Sequence, residues 1–169
     1  KFVPDEAEGS VAQAMPLSIS GTTINQVGII SSAADTDCFS FKSNGGLITI
    51  SADNPNPNLD VLLELTDSSG AVLASSNRAD SMSATLTYAV GAGNYFVRVS
   101  GTGAGNPSTD GYSSYGSVGA YTLSGSGPFT ANAPTVSELS ITNISANGVT
   151  LAGTVNSDNG APITERGIV

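Results

Sequence analysis

The chain has 169 residues, 39% of them hydrophobic and only 11% charged, against roughly 25% charged in an average globular protein. Fourteen acidic side chains face five basic ones, a formal net charge of -9, which disfavours binding to nucleic-acid phosphates and insertion at anionic membranes. With no histidine in the chain, the usual general base and commonest zinc ligand is missing, and no apolar run approaches the ~18 residues of a membrane-spanning helix.

The first ten residues are acidic and irregular, with Asp5, Glu6 and Glu8 close together. Val11 to Leu17 allows no more than a helical turn, because Pro16 limits it. Strand signals then follow one another. Ile24 to Ile30 is the first, and Asp37 to Phe41 alternates with Phe39 and Phe41 on one face. Asn44-Gly45-Gly46 predicts a turn, and Leu47 to Ala52 the next strand, with Ile48 and Ile50 on one face. Pro55 and Pro57 rule out a central strand between Asn54 and Asn58. Leu59, Val61, Leu63 and Leu65 are expected to point inward, with Asp60 and Glu64 outward. Asp67-Ser68-Ser69-Gly70 reads as a hairpin turn, and Ala71 to Ser75 as its return strand.

Ala84, Leu86, Tyr88 and Val90 share a face, Gly91-Ala92-Gly93 predicts another turn, and Tyr95, Val97 and Val99 point inward with Phe96 and Arg98 outward. Tyr121 and Leu123 mark a last strand. Eight or nine short strands with turn signals about every 8–12 residues indicate an all-β sandwich or barrel. Gly101 to Gly119 is a long Gly/Ser/Asn-rich loop carrying Tyr112 and Tyr115. Residues 1-126 form the expected first domain and 127-134 a linker, broken by Gly127, Pro128 and Pro134. Within 135-169, Val136 to Ile144 and Gly148 to Val155 alternate as strands, and Ile163 to Val169 begins a third. Three strands cannot close a core of their own. With no signal peptide ahead of Lys1, the chain is expected to be part of a longer precursor.

Cys38 is the single cysteine, so no intrachain disulfide forms, and a small packed residue is the ordinary role for it. Catalysis finds little support, since a nucleophilic serine or cysteine needs an adjacent base. Exposed loop aromatics are common binding anchors, so Tyr112 and Tyr115 are candidate ligand contacts, although they can equally pin the loop to the sandwich. Phe96 and Arg98 are candidates for contact with a ligand or a neighbouring domain. Two acidic groups, Asp5/Glu6/Glu8 and Asp35/Asp37, offer the oxygen donors that calcium takes. If the stretch is extended, Asp35 and Asp37 lie on one side of it; solvated or turn-capping aspartates are the plainer alternative.

Six segments in order carry a family likeness. They are Gly28-Ile29-Ile30, Asp35-Thr36-Asp37-Cys38-Phe39-Ser40-Phe41, Asn58 to Leu65, Asp67 to Gly70 with Leu73-Ala74, Ala92-Gly93-Asn94-Tyr95-Phe96-Val97-Arg98-Val99, and Gly111 to Leu123. Over residues 5 to 126 the chain resembles the bacterial pre-peptidase C-terminal domain. The resemblance implies a jelly-roll-like antiparallel β-sandwich and a secreted, extracellular, non-catalytic accessory role beside a hydrolase, usually a zinc metallopeptidase. It implies partners among extracellular protein or polysaccharide matrices and neighbouring domains of the same precursor. It also implies calcium as a cofactor, with an acidic N-terminal segment (Asp5, Glu6, Glu8) meeting Asp35 and Asp37. From about Ala133 the chain resembles the opening of a fibronectin type III-like repeat, the first strands of a second Ig/fibronectin-like β-sandwich. Pro134-Thr135-Val136, Thr142 to Ser145, Val149 to Val155 and Thr164 to Gly167 carry that likeness.

Overall fold

The computed structural model describes residues 9–55, 58–130 and 135–157. Eleven strands are described: β1 (Met15–Pro16), β2 (Ile19–Ser20), β3 (Thr23–Ile30), β4 (Thr36–Asp53), β5 (Val61–Thr66), β6 (Val72–Ser76), β7 (Ala84–Gly101), β8 (Gly119–Ser126), β9 (Phe129–Thr130), β10 (Thr135–Ser145) and β11 (Gly148–Ser157). A short 3-10 turn covers Val11–Gln13 and another Ser114–Gly116.

Strands β4 and β7, 18 residues each, run antiparallel from the pair Thr36/Ser100 to the pair Ala52/Ala84. Different neighbours flank their two halves. β1 and β9 pair with the first half of β4, and β5 with the last part of β7. The second half of β4 pairs with β8, which in turn pairs with β3. The ribbon of β4 and β7 thus belongs to both layers of an antiparallel sandwich. Phe39, Phe41, Val61, Leu63, Leu65, Val97 and Val99 on one layer meet Ile24, Ile30, Ile48, Ile50, Leu86, Tyr121 and Leu123 on the other. At one end, Phe129 packs edge-on against Phe41, centroids 5.3 Å apart.

The structure corrects the two predicted glycine turns. Asn44-Gly45-Gly46 and Gly91-Ala92-Gly93 both lie inside strands, and the pairs Asn44/Ala92 and Gly46/Val90 set them opposite each other. Gly45 and Gly46 have φ of 92° and 138°, values that side chains other than hydrogen tolerate poorly. Across them the inward-facing residues of β4 change from odd numbers (Phe39, Phe41, Ser43) to even ones (Ile48, Ile50, Ala52). Such a change in facing is what the ribbon needs where it passes from one layer to the other.

The hairpin signal at Asp67 is matched. The carboxylate Oδ1 of Asp67 accepts hydrogen bonds from the Ser69 N–H at 2.8 Å, the Ser69 hydroxyl at 2.6 Å and the Ala71 N–H at 3.1 Å. Those bonds hold its carboxyl below the ordinary value. Cys38 is fully buried and unbridged, and burial pushes its thiol up. β10 and β11 form an antiparallel hairpin, Ile141 opposite Leu151. The strand expected from Ile163 onward lies outside the described residues.

Candidate functional site

Asp60 was expected to point outward; instead it is 2% exposed. It sits just ahead of β5, where the chain is fixed from two sides. Its N–H donates to Ser117 Oγ at 2.9 Å, and its carbonyl accepts from the Ser117 hydroxyl at 3.0 Å and from the Thr102 N–H at 2.9 Å. Those bonds staple the segment before β5 to both ends of the long loop. The side chain then meets that loop again, because the Tyr112 hydroxyl donates to Asp60 Oδ2 at 2.8 Å. Oδ1 of Asp60 has no hydrogen-bond partner among the described residues. The adjacent carboxylate accepts the Tyr112 proton as a hydrogen bond and repels a phenolate, so the Tyr112 hydroxyl titrates above its ordinary value.

The long Gly/Ser/Asn-rich loop has its own internal bonds. Ala104 and Tyr112 form an antiparallel bridge, and the Asn106 carbonyl accepts the N–H groups of Thr109, Asp110 and Gly111. Tyr112 pins the loop while 43% of it remains exposed; Tyr115, in the second 3-10 turn, is 85% exposed. The two tyrosines thus have different surroundings. Nothing in a Gly/Ser-rich stretch singles out Ser117 as the buried partner of Asp60, and sequence reading missed it.

Asp35 and Arg98 line one surface cleft of about 420 Å³ with Gly9, Ser31, Ser32, Ala34 and Thr36. Asp35 caps the turn before β4, its Oδ2 accepting the Ser31 N–H at 2.5 Å. Arg98 lies across from Glu64 with Nη1 and Oε2 3.4 Å apart. Phe96, two residues earlier on β7, is half-buried and is not a cleft residue. Asp37 is not a residue of that cleft: it is 2% exposed and accepts the hydroxyl of the buried Tyr121, tying β4 to β8 across the core. Tyr121 fits because its strand partner is Gly28. A Cβ at Gly28 would stand 2.8 Å from Tyr121 Cε1 and nearer still to Cζ and Oη. Asp5, Glu6 and Glu8 lie outside the described residues. Among the described residues no three acidic or cysteine side chains gather, and no helix is long and apolar enough to cross a membrane.

An all-β antiparallel sandwich with a pinned, tyrosine-bearing loop is the class that the fold and these sites define. Residues 35–101 match the family model of the bacterial pre-peptidase C-terminal domain. That segment runs from the turn-capping Asp35 through β4, β5, β6 and β7. Among solved structures, the chain is similar to the pre-peptidase C-terminal domain of a collagenase from Bacillus anthracis, with 19% identity, a TM-score of 0.48, and coverage of 74% of this chain and 99% of that one. It is also similar to PliG, a periplasmic inhibitor of g-type lysozyme from Aeromonas hydrophila (11% identity, TM-score 0.46, covering 69% and 96%). A third similar structure is the Yersinia pseudotuberculosis-derived mitogen (15% identity, TM-score 0.45, covering 69% and 100%). A search of curated protein sequences returns no match.

Proposed function

We propose that this chain is a non-catalytic accessory module of a secreted bacterial hydrolase, of the zinc metallopeptidase kind, and that it holds the enzyme on an extracellular protein or polysaccharide matrix. The match of residues 35–101 to the pre-peptidase C-terminal domain carries this reading, since such domains are typically accessory domains of secreted peptidases. The 85% exposed Tyr115, on a loop fixed by Tyr112 and Ser117, gives the module a rigidly presented aromatic. Ordered presentation lowers the entropy lost on binding. Calcium belongs to the same reading as a structural ion. Asp35, Ser31, Ser32 and Thr36 give the cleft hard oxygen donors of the type calcium takes. With Asp5, Glu6 and Glu8 it would cross-link the acidic segment to the start of β4, whereas Asp37 is committed to Tyr121.

The test is co-sedimentation of the purified chain with insoluble collagen, elastin, chitin and cellulose, in calcium and in chelator. The expected result is retention on one matrix, with a melting temperature that rises on adding calcium. Retention on none of them in either condition would replace the binding module by a spacer or maturation domain.

A further inference from the structure

The Tyr112 hydroxyl has two acceptors within reach. Asp60 Oδ2 lies at 2.8 Å, and the thioether sulfur of Met82 at 3.6 Å from the same oxygen. The backbone of Met82 is fixed beside the same segment, because its carbonyl accepts the Val61 N–H at 2.9 Å. A thioether is a weak acceptor, so the hydroxyl proton belongs to the carboxylate and the sulfur serves as an apolar flank. Asp60 is 2% exposed, and its Oδ1 has no hydrogen-bond partner among the described residues. Met82 itself is half-buried.

Few side chains in this protein compete for a soft oxidant. There is no tryptophan and no histidine, and the sulfur groups are two methionines and one cysteine. Cys38 is fully buried, and burial pushes its thiol up, which leaves little of the reactive thiolate. Met15 belongs to β1, which pairs with β4. Met82 is thus the sulfur in contact with the pin of the long loop.

We propose that Met82 is a modification site for an oxidant of the peroxide class, and that its sulfoxide releases the long loop. The sulfur lone pair attacks one peroxide oxygen. The S–O bond forms, the O–O bond breaks, and the departing hydroxide takes the proton of the transferred oxygen and leaves as water. Sulfur is oxidised and the peroxide is reduced. The product presents a polar sulfoxide oxygen where the thioether stood, beside a hydroxyl that has a single proton to give. If that proton turns to the sulfoxide, the buried Asp60 carboxylate loses its donor. If it stays, two acceptor oxygens face each other with no proton between them. Either arrangement weakens the pin, so the loop carrying Tyr115 opens more often. Methionine sulfoxide reductases reverse the change. The proposal goes beyond the accessory-module reading and holds whatever Tyr115 contacts.

The test treats the whole chain carrying Met15→Leu with hydrogen peroxide, so that Met82 is the one methionine left. Leucine conserves the volume of methionine; circular dichroism checks the fold, and the wild type with both methionines mapped repeats the measurement. Peptide mass mapping reports oxidation at Met82. Chymotrypsin, which cuts after aromatic residues such as Tyr112 and Tyr115, reports loop opening. Oxidation is expected to speed cleavage in the loop about tenfold, equivalent to about 1.4 kcal/mol, and reductase to restore the slow rate. Adding Met82→Leu removes the response. Adding Tyr112→Phe makes cleavage fast before treatment, and oxidation then changes it less than about twofold, because the two changes act on one interaction. Met82 that resists peroxide in the folded chain overturns the proposal. So does complete oxidation with unchanged cleavage, and so does an equal acceleration in the Tyr112→Phe protein, which would make the effect a general loosening unrelated to the pin.

Discussion

Replacing Tyr112 by phenylalanine removes one oxygen and isolates the pin between the long loop and the body of the sandwich. In the wild type the hydroxyl donates at 2.8 Å to a carboxylate that is 2% exposed and whose other oxygen has no partner among the described residues. Without it, Asp60 keeps its backbone bonds to Ser117 and Thr102, but among the described residues its carboxylate has nothing left to accept from. Hydrogen bonds to charged groups are worth about 1.5–3 kcal/mol. The exposure of the Tyr112 ring lets some water in, so we expect a loss of about 2 kcal/mol. For a domain of this size that lowers the melting temperature by about 6–10 °C.

The assay is urea unfolding of the wild type, Tyr112→Phe, Asp60→Asn and the double variant, with the coupling taken from the cycle. pH provides a second axis. The folded-state pKa of Tyr112 lies above the ordinary 10.0, so the hydrogen bond's stabilisation is complete below about pH 10 and fades as pH rises through the folded value. The gap between wild type and Tyr112→Phe therefore closes in strong alkali. A gap under about 0.5 kcal/mol at neutral pH, within the range of ordinary surface substitutions, would refute the reasoning, as would one that stays constant through the alkaline range.

Gly28→Ala places a methyl against a Tyr121 ring that is 1% exposed and tied to Asp37. The ring can yield only by breaking that bond, so a loss of at least about 3 kcal/mol is expected. Urea midpoints check it, and Gly28→Ala with Tyr121→Leu should recover part of the loss. Asp67→Asn tests the hairpin cap. The Asp67 carboxyl lies below its ordinary 3.8, so its contribution is present above that value and lost as pH falls through the folded pKa. The variant should melt below the wild type at neutral pH and alike in strong acid; equal melting at neutral pH would dismiss the cap.

Period-two alternation exposed most of the sandwich in the sequence, because a strand buried on one face must alternate. Leu63 and Leu65, Ile48 and Ile50, and Val97 and Val99 all face the core as their spacing requires. The same signal could not see that β4 and β7 are continuous. Glycine marks a tight turn and a change of facing with the same letters, and only the opposition of Gly45 and Gly46 to the Gly91–Gly93 stretch separates the two. Charge misled in a related way. Asp60 carries the residue type that ordinarily faces water, yet Ser117 and Tyr112, 57 and 52 residues further on, supply its bonds. The outer face of β7, β4 and β8, where Ser and Thr side chains align in two rows, was hidden for the same reason. Thr49 and Ser51 look like ordinary solvent-side strand residues until pairing sets Thr87, Thr85, Ser126 and Ser124 beside them. What sequence reading finds is local periodicity; what it misses is made by cross-strand register, and both the loop pin and the polar face are products of register.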